Sequence, residues 1–170
     1  MNASFNRRTF LQVSGGTAAA MSLGFVWPTH AQNTQPTEVN AWIDIHADDT
    51  VVIRYARTEM GQGSRTSAPM LIAEELEVDW KKVRVVDVPA HDNLRRKRVY
   101  GDMASVGSRT IRMSQEYLRK AGATAREMLI AAAAQQWGVP ASECVAALGV
   151  VTHTQSKRKL SYGKLAADAA

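Results

Sequence analysis

The sequence predicts an α+β fold, and three patterns carry that prediction. Residues 39–56 alternate apolar and polar side chains at the period of strands, broken once by a turn. Two stretches, from Thr66 to Val78 and from Gly107 to Gly138, space their apolar residues as helices do. Short β-like runs follow both. The expected order is ββ-α-β-α-β-α.

Residues 1–31 stand outside that fold. From Asn6 the chain reads NRRTFLQVSGGTAAAMSLGFVWPTHAQ: a basic pair, an Ala- and Gly-rich apolar run, then small residues at Thr29 and Ala31. This is the three-part layout of an export signal, with cleavage expected after Ala31. Arg7 and Arg8 followed by Thr-Phe-Leu-Gln resemble the twin-arginine signal, which carries folded proteins across the bacterial inner membrane. A periplasmic location is therefore expected. The apolar run is interrupted by Gly15, Gly16 and Ser22. It falls short of the ~20 residues of a membrane span, so no stable span is expected.

Residues 32–38, QNTQPTE, read as a polar linker, and 39–170 as the folded part. In VNAWIDIH, Val39, Ala41, Ile43 and Ile45 fall on one face of a strand. Ala47-Asp48-Asp49-Thr50 is a turn, and VVIRYA completes a hairpin. Thr66 or Ser67 is placed to cap the first helix, with Pro69 in its first turn and an end near Val78. Lys82–Pro89 is the next strand. The long helix from Gly107 carries Ile111, Leu118, Ala121, Ala125, Met128 or Leu129, Ala132 and Gln136 on one stripe, and Gly138 and Pro140 stop it. Its alanines, and Gly122 in its middle, imply close packing against another element. A helical turn over Ala141–Val145, a strand, a basic turn and a last helix from about Ser161 complete the chain.

Composition narrows the chemistry. Formal net charge is +5, and removing Arg7 and Arg8 with the leader lowers it to +3, which does not call for nucleic acid. The one dense basic run, Leu94–Tyr100, reads as a solvated loop. Cys144 has no partner for a disulfide or a zinc site and reads as a buried small hydrophobe. His46, His91 and His153 lack ligand spacing. Glu74, Glu75 and Glu77 are splayed around a helix, so they read as a solvated or partner-facing edge rather than an acid/base pair.

The stretch TEMGQGSRTSAPM is different. Gly61 and Gly63 bracket Gln62 just before a helix. Two readings stay open: a turn that exploits glycine's positive φ, or a backbone cradle whose free N–H groups meet an anion. A second candidate is SVGSRT, where Gly107 and Ser108 open a helix that Thr110 has just entered. It serves either as a plain cap or as a second anion contact, with Arg109 or Arg112 adding charge.

Four ordered blocks, EMGQGSRTSAPMLIAEELEVDWKKVRV, Gly101-Asp102, SVGSRTIR and LRKAGATAREMLIAAAAQQWGV, together resemble the molybdopterin-binding large subunit of the xanthine dehydrogenase and aldehyde oxidase family. The likeness is to its exported isoquinoline 1-oxidoreductase beta-subunit branch, and runs from about Asn40 to Ala170. It implies that Gly61, Gln62, Gly63, Gly107, Ser108 and Thr110 approach a molybdopterin cofactor (the molybdenum cofactor), and it leaves open whether that is a dinucleotide form. It also implies an enzyme that hydroxylates an aldehyde or N-heteroaromatic small molecule with water-derived oxygen. Electrons would pass to a separate iron–sulfur subunit, since Cys144 alone cannot hold clusters. Related sequences show Gly-Gly-Ser where this chain has Val106-Gly107-Ser108, and a branched residue resists positive φ. The family's reaction depends on a glutamate late in a much longer chain. This chain is thus expected to be the N-terminal part of a larger molybdopterin-binding domain, inactive without the remaining domains of its subunit. The alternative is a truncated, non-catalytic periplasmic module that binds no cofactor.

Overall fold

The computed structural model describes residues 36–170, and the expected export signal lies outside the described residues, as does most of the expected linker. Strand β1 (Thr37–Asn40) begins two residues inside that linker stretch. It pairs antiparallel with β2 (Ile43–Ile45), and β2 pairs antiparallel with β3 (Val51–Tyr55). The single strand expected over 39–46 is thus two. Asn40 supplies the reason: its Oδ1 accepts the N–H of Trp42 at 2.9 Å, an Asx turn that reverses the chain at Ala41-Trp42. On β3 the alternation holds, with Val51, Ile53 and Tyr55 buried.

Helix α1 (Ser64–Leu76) follows, and its N-cap is Gly63, not Thr66 or Ser67. The earlier start places Pro69 in the helix interior, where it removes one main-chain bond. Glu77 adopts φ 58° and closes the helix in a Schellman motif, Val78 N–H reaching the carbonyl of Ala73 at 3.2 Å. A 3-10 turn (Trp80–Lys82) leads into β4 (Val83–Asp87), which lies parallel to β3. The β3–α1–β4 unit thereby sends the Gly-Gln-Gly loop out from the carboxyl end of a strand.

The helix expected to run unbroken from Gly107 is interrupted. After the short α2 (Ala90–Arg95) come α3 (Arg109–Arg112), a turn at Met113-Ser114, and α4 (Gln115–Trp137). Leu118, Ala125, Leu129, Ala132 and Ala133 of α4 are buried. Gly122 permits the close approach the sequence implied: a Cβ there would stand 2.4 Å from the Ile72 carbonyl oxygen of α1.

Two strands were not foreseen. The 3-10 turn after α4 covers only Ala141–Glu143, and β5 (Cys144–Ala147), β6 (Val150–His153) and β7 (Lys159–Ser161) form a separate antiparallel sheet. Both extra strands are four residues or fewer, too short for periodicity to declare them. Helix α5 (Tyr162–Ala169) then packs back on α4. Tyr162, fully buried, donates to the Leu76 carbonyl at 2.6 Å and ties the last helix to the end of α1. The α+β class stands.

Candidate functional site

Two loops meet beyond the end of β3. The first, Thr58–Gly63, is closed at its base by Tyr55, whose hydroxyl lies 2.6 Å from Ser64 Oγ. Gly61 and Gly63 have φ of 98° and 76°, backbone that glycine adopts without steric cost. A Cβ at either would meet no atom within 4 Å, which leaves both faces bare and open to an approaching group.

The second loop runs from Gly101 to Ser108. Trp42 and Tyr100 hold its start: their rings pack edge to face at 4.9 Å, and the Tyr100 hydroxyl donates to the Ala41 carbonyl at 2.6 Å. Arg57, nine-tenths buried, donates to Asp102 Oδ1 at 2.8 Å and to the Ala104 carbonyl. Ser105 Oγ accepts the N–H of Thr58 at 2.7 Å and staples the two loops together. The Asp102 carboxyl is held below its usual range by the Ala104 N–H and then by Arg57.

The turn of this loop falls at Gly107 and Ser108, with φ of 58° and 56°, and Val106 is not among the positive-φ residues. The conformational burden expected at Val106 therefore rests on Ser108. Its side chain caps nothing in α3.

The loops share a cleft of about 460 Å³ lined by Met60, Gln62, Ser64, Ser67, Ser105, Ser108, Arg109, Thr110 and Ile111. Of the residues singled out in the sequence, Gln62, Ser108 and Thr110 line it directly, while Gly61, Gly63 and Gly107 shape the flanking backbone. Arg109 also lines it, pairing with Asp102 at 3.2 Å. Arg112 turns back toward the Gly107 carbonyl.

Two details differ from the sequence reading. Gln62 is folded onto its own loop: Nε2 donates to the Thr58 carbonyl at 2.8 Å and to Ser64 Oγ at 2.7 Å, and Oε1 accepts the Met60 N–H at 2.6 Å. Of the N–H groups leading into α1, those of Gly61, Gly63 and Arg65 are not free. Glu59 takes them, with Oε1 2.8 Å from Gly61 N and 2.9 Å from Gly63 N, and Oε2 2.8 Å from Arg65 N. These bonds, led by that from Arg65, hold the Glu59 carboxyl below its usual range. Sequence reasoning passed over Glu59, Arg57 and Ser105. An acidic residue two places before a glycine turn was the available signal.

Several of the remaining sequence candidates have structural partners. Arg96 of the basic run reaches Glu38 and donates to the Tyr100 hydroxyl at 2.8 Å, and Arg95 pairs with Asp92 at 2.8 Å. Glu75 pairs with Arg119 at 2.5 Å, so the acidic edge of α1 meets α4. Cys144 is buried, which raises its thiol pKa. Among the described residues no group of three or more His, Cys, Asp or Glu is arranged to hold a metal ion. No described helix is long and apolar enough to cross a membrane.

The family model described as molybdopterin cofactor-binding domain matches residues 2–170. The beta subunit of isoquinoline 1-oxidoreductase from Brevundimonas diminuta is 36% identical over 169 residues, covering 95% of this chain and 22% of the relative. A membrane-bound aldehyde dehydrogenase (pyrroloquinoline-quinone) from Gluconacetobacter polyoxogenes is 30% identical over 175 residues, covering 97% and 21%. Among solved structures, quinoline 2-oxidoreductase from Pseudomonas putida 86 superposes with a TM-score of 0.56 at 19% identity, covering 75% of this chain and 16% of that one. At that identity the likeness is one of fold. The chain spans about a fifth of the length of the curated relatives it matches.

Proposed function

The chain belongs to the molybdopterin cofactor-binding domain family, and from that membership we propose that it is the leading part of an exported molybdenum hydroxylase subunit. The observation that carries the reading is the convergence of both glycine loops on one cleft. The donor set there fits a pterin with a phosphate-bearing tail. Bare backbone at Gly61 and Gly63 allows close approach, Ser108 and Thr110 offer hydroxyls, and Arg109 offers guanidinium N–H groups toward acceptor oxygens. When bound, the cofactor would supply the two-electron oxidation by which an aldehyde or N-heteroaromatic substrate gains oxygen from water. The protein's share is to seat and orient it. Arg57, Asp102 and Ser105 hold the two loops in register, and Gln62 stiffens the first from within. Catalysis requires the remainder of the subunit, and an iron–sulfur partner takes the electrons. Export through a twin-arginine leader would deliver the enzyme folded to the periplasm.

Asparagine tolerates left-handed backbone, so Gly63→Asn adds a side chain on the open face with little strain. In the complete subunit, Gly61→Asn with Gly63→Asn is expected to lower molybdenum content, measured by elemental analysis of purified enzyme. Unchanged molybdenum would count against the cleft as the cofactor's seat. The relative named for pyrroloquinoline quinone favours a second reading. Quinone absorbance in metal-free, active enzyme would replace the molybdenum assignment.

A further inference from the structure

The Gly-Gln-Gly loop invites a phosphate-cradle reading, because amides at a helix start suit an anion. An anion is already there. Both oxygens of Glu59 are engaged by the amides of Gly61, Gly63 and Arg65 at 2.8–2.9 Å, the range of charge-assisted bonds. Gln62 engages the loop's other side at Thr58, Met60 and Ser64. Arg65, whose amide closes the nest, is fixed in turn by its guanidinium, which grips the Asp87 carboxylate at 3.0–3.1 Å and the Val85 carbonyl at 3.0 Å on β4.

We propose that Glu59 is a positioning residue: its carboxylate fills the amide nest at the start of α1, orders the first loop, and excludes phosphate from that nest. The loop then meets the cofactor through its bare glycine faces and the hydroxyls of the cleft, and phosphate-bearing parts are held elsewhere. The role toward the cofactor rests on the function proposed above; the filling of the nest does not. The arrangement carries a chemical consequence. Three convergent amide donors remain when Glu59 is truncated, and a small anion from solution can take its place.

The test uses the full chain, as wild type, Glu59→Gln and Glu59→Ala, with amide hydrogen exchange read at Gly61, Gly63 and Arg65. Wild type should show protected amides whose resonances do not respond to inorganic phosphate. Glu59→Ala should exchange about tenfold faster or more, the scale of a lost charge-assisted bond. Formate or phosphate should restore its protection. Glu59→Gln keeps the shape and one acceptor and should fall between, which keeps the test informative if the alanine variant unfolds. Saturable phosphate shifts at these amides in wild type would overturn the proposal, as would unchanged exchange in both variants. In the complete subunit, Glu59→Ala should also lose molybdenum, with formate restoring it. Loosened amides with full molybdenum content would remove the positioning role. The glycine substitutions would still decide the cofactor reading independently.

Discussion

Asp44 gives this fold a pH signature that can be traced to one residue. It is buried on β2, with Oδ2 2.6 Å from Arg54 and Oδ1 without a hydrogen-bond partner. Burial raises its pKa, the Arg54 guanidinium opposes that only in part, and the Glu38 charge raises it a little further while Arg96 lowers it. The folded state thus holds this proton more tightly than the unfolded chain. Stability from this group must fall as pH climbs from the ordinary value of 3.8 through the raised one, and then stay level. Glu59 and Asp102 act in the opposite sense. Their contribution is complete above ordinary carboxylate values and is lost as pH falls through their lowered ones. Urea midpoints measured from about pH 3 to 7 should therefore rise and then decline slightly. Asp44→Asn should abolish the decline while leaving the rise. An identical decline in the variant would show that another group causes it. Nothing in the sequence announced this, since VNAWIDIH placed Asp44 on the polar face of one continuous strand. The Asx turn at Asn40 reorganised that strand, and all three residues of β2 became buried.

At the level of elements, the contact between α1 and α4 decides whether the loops have a rigid base. Alanine is a better helix former than glycine by about 1 kcal/mol, so Gly122→Ala would stabilise an isolated helix. Here the added Cβ would lie 2.4 Å from the Ile72 carbonyl oxygen and 3.0 Å from Glu75 Cβ. The helices would have to part, straining the bonds from Arg119 and Arg126 to Glu75. A net loss of about 1–3 kcal/mol in denaturant unfolding is expected, the cost of overpacking. A gain would mean that the interface yields freely. The same glycine shows why some elements were legible and others not. A glycine within an alanine-rich helical stripe points to a close neighbour, and β3, α1, β4 and α4 each carry an extended pattern. The Met113-Ser114 break is set by tertiary partners instead: buried Ser114 accepts from the Tyr117 hydroxyl at 2.6 Å and lies 3.4 Å from Arg57. Strands β5 and β7 are defined by pairing with β6 and not by their own pattern. The site was half legible for a related reason. Glycines mark the loops in sequence and Glu59 stands beside them, its contacts local, but Arg57 and Ser105 act through contacts that only the fold creates.

For the molecule as a whole, the cleft's size and its walls point to the same experiment. About 460 Å³ is enough for a small ligand, since ligand pockets run from ~300 to 1,000 Å³. Tight sites also bury some 70–90% of the ligand's surface. Here the walls come from two loops and the starts of α1 and α3, and the exposed side chains of Met60, Val106 and Met113 lie on or beside those same segments. The relatives are about five times as long, so most of an enclosing surface would come from segments beyond those described. The 170-residue chain, purified alone after expression with cofactor supply, is accordingly expected to carry molybdenum at background level. It should show no turnover of aldehydes or N-heteroaromatics with an artificial electron acceptor. Molybdenum retained through gel filtration would mean that two loops suffice to hold the cofactor, and the walls would then serve substrate selection. Turnover would refute the division of labour itself, because a base and an electron exit would both have to lie within these residues. The carboxylates beside the cleft are already committed, Glu59 to the loop amides and Asp102 to Arg57 and Arg109, and this is the physical ground for expecting no free base.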